Sequence, residues 1–302
     1  MKTFLNLLAL GALLACPAAA SGALNIFACE PEWGALAREI GGDRVGVYVA
    51  TTALQDPHKI QARPSLIAQA RVADLVVCSG AELEVGWMPV VIGQSGNNKI
   101  GIGKPGNLEA ANYVPLKEVP TLLDRSLGDV HPRGNPHIQW DPHNILLVAE
   151  ELARRLGNID PGGKNYYDAR LTSFAQRWGQ ATQRWAQEAA PLKGVAVIEH
   201  HKELTYLFDW LGMPVVGALE PKPGVEPTSA HLSELVEQQK INPAQLIVIT
   251  TQKSPEAASW LSGQIKVKHI ALPATVGGTP GAKDLFSMYD EAINRLLAAE
   301  KS

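Results

Sequence analysis

Histidines at three places in the sequence could together hold a metal ion. His58 lies on an irregular loop within QDPHKIQARPS, His137 lies in the proline-bounded loop GNPH, and His200 and His201 end the apolar run VAVIE. Neutral imidazole is a good ligand for zinc and other borderline metals, whereas calcium prefers oxygen. A single histidine is more often structural. These histidines, however, lie on expected loops or strand ends in both halves of the chain. They indicate a metal site if the fold brings them together.

Short apolar runs alternate with helical patterns in both halves of the chain, and these elements must position the histidines. The first half reads ALNIFAC, PEWGALAREIGG, RVGVYVA, RPSLIAQARV and ADLVVCSG, and the second half repeats the order from GVAVIEH to VKHIALP. This alternation is typical of parallel sheets with helical crossovers, whose strand ends face the ligand crevice. We therefore predict the α/β class, with two α/β lobes, each built on a mainly parallel sheet, and a metal site in the crevice between them.

A long amphipathic stretch separates the two halves. Its apolar positions recur at alternating steps of four and three, with no proline between Lys164 and Ala190, and this spacing predicts one continuous helix. The stripe consists of Tyr167, Leu171, Phe174, Trp178, Ala181 and Trp185. We expect a rigid linker helix over 161–190, between an N-terminal lobe at 21–160 and a C-terminal lobe at 191–302. An ordinary surface helix of one lobe is the alternative.

Composition restricts the possible partners. The 302 residues are 46% apolar and 19% charged, which is the profile of a folded globular protein. Lys and Arg number 27 against 30 Asp and Glu, for a formal charge of -3, and no basic block is present. Nucleic acid is therefore not an expected partner. We expect the protein to be a monomer.

The first residues, MKTFLNLLALGALLACPAAASG, have the pattern of an export signal. One basic residue, Lys2, precedes an apolar run and a small-residue stretch that ends near Ala20. Cleavage after Ala20 predicts a signal peptide at 1–20 and a periplasmic protein. The alternative is a lipoprotein site with lipid on Cys16, which Pro17 disfavours. No later segment offers the ~20 uninterrupted apolar residues of a membrane-spanning helix.

Two cysteines, Cys29 and Cys78, remain after cleavage at Ala20. Both lie at the carboxyl ends of apolar runs, LNIFAC and ADLVVC, and an oxidising compartment allows them to pair. If the two runs are neighbouring parallel strands, the sulfurs are side by side. We expect a disulfide that contributes roughly 4 kcal/mol by restricting the unfolded chain. Two separate buried thiols are the alternative.

Signals for enzymatic chemistry are weaker. The segment GIGKPG at 101–106 has the glycine spacing of a dinucleotide site, but Pro105 and later prolines exclude the helix that such a site needs, so we predict a loop. The chain has no His-Glu-x-x-His helix, no Gly-x-Ser-x-Gly elbow and no Walker loop. One enzyme alternative stays open: a zinc hydrolase built on the same histidines, with Glu199 or Glu203 as general base.

Several ordered motifs carry a resemblance to a known family. They are HKIQARPS, ADLVVCSGAELE, NPHIQWDP, HHKELTYLFDWLG and EPKPGVEPTSAHL. In these motifs the chain resembles the cluster A-I solute-binding proteins, the metal-binding receptors of ABC importers, and is most similar to their zinc-uptake branch. The resemblance covers nearly the whole mature chain. It implies two α/β lobes joined by a long helix and a receptor, not an enzyme, that binds a zinc ion and delivers it to a membrane permease.

The resemblance also implies a set of ligands. In the family's pattern, metal is bound by the histidine ahead of the Arg-Pro-Ser stretch, the histidine of Asn-Pro-His, and the histidine five residues before a tyrosine, here Tyr206. These correspond to His58, His137 and His201. The spacing to Tyr206 selects His201, so we interpret His200 as a packing neighbour. A manganese receptor of the same family is the alternative, although three nitrogen ligands favour zinc.

Two departures from the family's pattern affect the rest of the site. The family often has an acidic ligand after the last strand, but here that strand is followed by Pro273, Ala274 and Thr275. We therefore expect water, or else a mobile loop carboxylate, as fourth donor. Asp284, the nearest acidic candidate, is expected in the first turn of a helix. The His- and acid-rich loop of the zinc branch is reduced to LLDRSLGDVHPRG, where His131 is at most an auxiliary contact.

Overall fold

The computed structural model describes residues 22–121, 128 and 131–301. The predicted signal peptide and Cys16 lie outside this part of the chain. A first sheet contains β1 (Leu24–Ala28), β2 (Val45–Val49), β3 (Leu75–Cys78) and β4 (Asn107–Glu109). The strands are parallel and lie in the order β2-β1-β3-β4. The first half of the chain is thus a parallel α/β unit, as its alternating pattern predicted.

The second sheet repeats this arrangement. It contains β5 (Val197–Glu199), β6 (Val215–Ala218), β7 (Leu246–Thr250) and β8 (His269–Leu272). Its strands are parallel and lie in the order β6-β5-β7-β8. When the strands are numbered within each half of the chain, both sheets have the same order: second, first, third and fourth strand. The predicted fold class, two α/β lobes with parallel sheets, is therefore confirmed.

The helices of the described residues connect and cover these strands. They are α1 (Pro31–Gly41), α2 (Pro64–Val72), α3 (Met88–Ser95), α4 (Pro142–Ile159), α5 (Lys164–Glu188), α6 (Thr205–Leu211), α7 (Ser229–Gln239), α8 (Glu256–Ile265) and α9 (Leu285–Glu300). Several begin at proline, whose fixed φ and missing N–H suit the first helical position. Among the described residues no helix combines the length and apolarity that crossing a membrane requires.

The inner faces of both sheets share one apolar core. Residues such as Ile26 and Leu75 from the first sheet and Val197 and Val248 from the second belong to the same buried cluster, together with α1, α4, α5, α6 and α9. The outer faces have separate cores, one beneath α2 and α3 and one beneath α7 and α8. Because close-packed interiors resist deformation, the shared core joins the two lobes firmly.

The long helix between the lobes is α5, Lys164–Glu188, and one of its faces lies in the shared core. Of the six predicted stripe residues all are buried except Leu171, which is half-buried. The rings of Trp178 and Trp185 lie 5.5 Å and 4.8 Å from that of Tyr289 in α9. This aromatic packing attaches the connector to the C-terminal helix along its length.

The expected disulfide between Cys29 and Cys78 is present, with a Cα–Cα distance of 4.8 Å. β1 and β3 are neighbours, and the backbone N–H of Cys29 donates to the carbonyl of Val77 at 2.9 Å. The cross-link therefore ties together the carboxyl ends of two central strands.

Candidate metal centre

The structure brings His58, His137 and His201 together between the lobes. His58 lies in the 3-10 turn Pro57–Lys59, His137 precedes α4, and His201 follows β5. One ring nitrogen from each lies within 4.8 Å of the others. The ring centroids are separated by 5.5 Å (His58 and His137), 5.7 Å (His58 and His201) and 5.4 Å (His137 and His201). Three imidazoles from two lobes thus converge on one point.

Asp56 orients the His58 ring. Its Oδ1 accepts the backbone N–H of His58 at 3.1 Å and lies 2.8 Å from Nδ1 of the ring. Burial alone would raise the pKa of Asp56, but the hydrogen bond from His58 and the charge of Lys253 outweigh burial and hold it below its usual value. An ionised acceptor keeps the ring proton on Nδ1, so Nε2 of His58 is free to bind a metal.

Glu220, in the second lobe, orients the His201 ring. Its Oε2 lies 2.7 Å from Nδ1 of His201 and also accepts the backbone N–H of Gly224 at 2.7 Å. Burial opposes ionisation of this carboxyl, but the hydrogen bond and charge of His201 and the charge of Lys253 lower the pKa of Glu220. A carboxylate behind a histidine is the usual outer partner of a metal-binding imidazole.

His137 differs from the other two because its Nε2 is buried and has no hydrogen-bond partner among the described residues. The residue is only 6% exposed, and its backbone N–H donates to Oδ1 of Asn135 at 2.9 Å. Burial, with the neighbouring His201 and His58, holds the pKa of His137 well below its ordinary value, so the ring is neutral. A buried unpartnered nitrogen is costly. A metal ion would satisfy it.

Lys253 connects the two orienting carboxylates. Its Nζ lies 3.9 Å from Oδ2 of Asp56 and 3.5 Å from Oε1 of Glu220. Burial lowers the pKa of Lys253, but the charges of Glu203, Glu220 and Asp56 outweigh it and raise the pKa, so the ammonium stays charged. The carboxylates that orient His58 and His201 from opposite lobes therefore share one counter-charge.

Two cavities flank the three rings. The inner one, about 30 Å³, is lined by the three histidines and by buried polar groups that include Glu30, Glu32 and Glu203. Burial raises the pKa of Glu32 to about 7, and it also raises that of Glu203. The outer groove, about 370 Å³, is lined by His131, His137 and His201 and by several prolines. The inner cavity has room for about one water, and the outer groove is much larger.

Ala274 and Thr275 line the inner cavity at the position where the family pattern often has an acidic ligand. Thr275 instead donates its hydroxyl proton to Glu32 of α1, across the crevice. The strand end therefore contributes a contact between the lobes and no carboxylate.

Three other predicted residues lie outside the group of three converging rings. His200 is buried with Nε2 3.9 Å from Oε1 of Glu220, outside the converging rings, and burial and Lys253 lower its pKa to about 4. Nε2 of His131 lies 3.2 Å from Nε2 of His58, but His131 is outside the group of three. Asp284 was expected in the first turn of a helix. It is instead the N-cap of α9, in a reciprocal capping box with Ser287.

Three residues around the site were not predicted from the sequence: Asp56, Glu220 and Lys253. The tripeptide Asp-Pro-His was a visible signal for Asp56, because an aspartate two residues before a histidine can bond its backbone and its ring. Glu220 lies 19 residues from His201 and Lys253 lies 33 residues from Glu220, so only the folded chain unites them.

Comparison with known proteins supports a metal-uptake role. The family model for zinc-uptake complex component A, periplasmic (ZnuA), matches residues 26–299. The zinc-binding lipoprotein AdcA of Streptococcus pneumoniae (strain ATCC BAA-255 / R6) is 22% identical over 253 residues, which are 82% of this chain and 49% of AdcA. The manganese ABC transporter substrate-binding lipoprotein PsaA of Streptococcus mitis is 22% identical over 242 residues, 78% of this chain and 76% of PsaA.

A solved structure agrees on the fold. The crystal structure of ZnuA superposes with a TM-score of 0.76 at 22% identity, covering 92% of this chain and 99% of that one. The chain spans about half the length of AdcA, the zinc-binding relative. The family model nevertheless covers almost all of the described residues. The chain therefore belongs to the ZnuA family, the periplasmic components A of zinc-uptake complexes, which are solute receptors of ABC importers and not enzymes.

Proposed function

We propose that this chain is an exported receptor that captures Zn²⁺ with His58, His137 and His201 and delivers it to the membrane permease of an ABC importer. The observation that carries the proposal is the buried, unpartnered Nε2 of His137 beside the ring nitrogens of His58 and His201. In the metal-free protein, burial of this nitrogen without a hydrogen bond is unfavourable in free energy, and a bound ion would offset that penalty. Capture and release need no bond chemistry.

The donor set favours zinc over manganese. The three converging donors are nitrogens, and the nearby carboxylates of Asp56 and Glu220 are engaged with the outer ring nitrogens of His58 and His201. Imidazole suits zinc, whereas manganese is better served by carboxylate and water oxygens. A manganese receptor is the second candidate, because PsaA is a manganese transporter lipoprotein.

The proposal also covers where the protein is located and how the chain is divided into lobes. AdcA and PsaA are both lipoproteins by name, which supports export of this chain as well. We propose cleavage after Ala20 into the periplasm, with a lipid tether at Cys16 as the alternative, and a monomer as the working form. The proposed division is an N-terminal lobe at 21–160, a linker helix at 161–190 and a C-terminal lobe at 191–302.

Equilibrium competition among Zn²⁺, Mn²⁺ and Ca²⁺ for the demetallated mature protein tests the cargo. Zinc should bind most tightly, and manganese binding tighter than zinc would instead assign the chain to the manganese receptors. The neighbouring pair His201→Ala and His200→Ala is the matched test of the ligand set. His201→Ala should weaken zinc binding about 100-fold or more, since loss of an outer partner alone costs 10–100-fold. His200→Ala should leave affinity nearly unchanged, and the opposite ranking would show that the wrong histidine was assigned.

A further inference from the structure

We infer that Asn135 is a positioning residue of the metal centre, which fixes the spacing between His137 and His201 by bonding to the backbone beside each of them. This inference rests on the proposed function, because it concerns how two of the three proposed ligands are held. Asn135 acts through the two chain segments that carry these rings and not as a ligand.

The side chain of Asn135 bonds both segments. Its Oδ1 accepts the backbone N–H of His137 at 2.9 Å, and its Nδ2 donates to the backbone carbonyl of Lys202 at 2.6 Å. His137 precedes α4 in the first lobe, whereas Lys202 directly follows His201 after β5 of the second lobe. One planar amide therefore connects the backbone of two proposed ligands from opposite lobes.

The other polar groups of Asn135 hold the amide in this orientation. Its Nδ2 also donates to Oε2 of Glu118 at 2.8 Å, its backbone N–H donates to the carbonyl of Lys117 at 2.8 Å, and its carbonyl accepts the hydroxyl proton of Tyr206 at 2.8 Å. The residue is only 6% exposed. The partners of Nδ2 are a carboxylate and a carbonyl, which only accept, and the partner of Oδ1 is a donor, so the amide cannot be reversed. A buried side chain that satisfies every polar group in this way is held rigidly.

His58 is held by a different contact. Its ring and its backbone N–H are bonded to Asp56, two residues before it in the sequence. The five hydrogen bonds of Asn135 described above go to other segments, so the bridge sets the spacing of His137 and His201 and leaves His58 to Asp56. This asymmetry distinguishes a positioning role from a general contribution to stability, because only a positioning role depends on which ligand is present.

Zinc affinity, measured by chelator competition in three backgrounds, tests the inference. Asn135→Ala should weaken zinc binding by about 10-fold in the parent protein, at the lower end of the 10–100-fold loss that follows removal of an outer partner. In the His201→Ala background the same change should weaken binding by about 3-fold or less, because the ring that the bond to Lys202 positions is already gone. In the His58→Ala background the loss should again be about 10-fold, since the two sites act independently.

Asn107→Ala is the matched control. Asn107 is also a buried asparagine, and its Nδ2 donates to the carbonyl of Ile100 at 2.9 Å within the first lobe. This variant should lower the free energy of unfolding, as Asn135→Ala does, but leave zinc affinity unchanged.

If Asn135→Ala does not fold, Asn135→Asp takes its place in the three backgrounds. The aspartate keeps an acceptor for the backbone N–H of His137 and loses both donated bonds. The charge that it adds acts in every background and cancels when the backgrounds are compared. The loss of affinity that depends on His201 then remains measurable.

Each result decides a separate question. No loss of affinity in the parent protein, an equal loss in all three backgrounds, or the same loss in Asn107→Ala would overturn the inference and leave the proposed zinc receptor in place. A parent protein that binds no zinc would overturn the proposed function, and the inference with it. Unchanged affinity after removal of His58 and His201 would overturn the proposed ligand set.

Discussion

The tripeptide Asp-Pro-His occurs twice in this chain, once at the candidate metal centre and once on the surface. At 56–58 and at 141–143 the aspartate accepts the backbone N–H of the histidine, at 3.1 Å and 2.9 Å. In both, Oδ1 of the aspartate lies 2.8 Å from Nδ1 of the ring. Yet the side chain of His58 is 14% exposed in the crevice, whereas that of His143 is 67% exposed on the first turn of α4.

The comparison separates what a short sequence determines from what the fold adds. The tripeptide orients a ring and holds its proton on Nδ1 in both places. At 56–58 the chain then leaves the short turn, and Nε2 faces other histidines. At 141–143 Pro142 starts an 18-residue helix and the same aspartate acts as its N-cap. Only the first setting places an oriented imidazole among other histidines.

The largest difference should appear when each histidine is removed. His58→Ala should weaken zinc binding about 100-fold or more. Loss of a residue that only orients a ligand lowers metal affinity by about 10–100-fold, and this variant removes the proposed ligand itself. His143→Ala should bind zinc as the parent protein does. Competition with a chromophoric chelator at neutral pH measures both. Equal affinities for the two variants would remove His58 from the site.

Removal of Asp56 should mainly affect zinc affinity, whereas removal of Asp141 should mainly affect stability. Asp56→Ala should weaken zinc binding by about 10–100-fold, because the His58 ring loses its orienting partner. Asp141→Ala should leave zinc affinity unchanged and lower the free energy of unfolding by about 1 kcal/mol, the usual cost of an N-cap.

Chelator competition measures the zinc affinity of both variants, and denaturant unfolding measures their stability. Asp56→Asn refines the result, since it keeps an acceptor oxygen and removes the charge. If Asp141→Ala reduced affinity as much as Asp56→Ala, the two tripeptides would not differ in role.

The smallest effect concerns protons. His58 lies beside rings that stay neutral, since burial holds the pKa of His137 well below its ordinary value and lowers that of His131 to about 4. A lowered pKa means that these two rings need no deprotonation near pH 6. Zinc binding at that pH should therefore release at most about two protons from the three proposed ligands, His58, His137 and His201. Calorimetry in buffers of different ionisation enthalpy measures this number. Three released protons would show that all three rings are protonated before the metal arrives.

Much of the fold was predictable because its signals are local. The apolar runs around β1, β3, β5 and β7 are continuous, as in strands buried on both faces, and the stripe of α5 continues over most of the helix. β4, Asn107–Glu109, was missed because three residues, NLE, carry no periodicity. α3, Met88–Ser95, was missed because its short run MPVVIGQS does not distinguish helix from strand.

The site was less predictable than the fold. The resemblance singled out His58, His137 and His201, and the structure places their rings together. The groups around them depend on contacts between distant segments: Glu220 reaches His201, and Lys253 reaches Asp56 across the crevice. No periodicity or spacing encodes such pairs, because they form only when strand ends that are distant in the sequence meet in the folded chain. The sequence could therefore indicate ligands but not what orients them.

The single core beneath both sheets has a consequence for the kinetics of metal exchange. Lobes that share one packed interior cannot rotate apart to free all ligands of an ion at once. A bound ion must then leave by stepwise substitution, in which a donor from the acceptor replaces one imidazole before the next one dissociates. Such exchange is associative: its rate rises with the concentration of the acceptor and stays low in its absence. The cargo would thus pass from one set of ligands to the next with little escape into free solution.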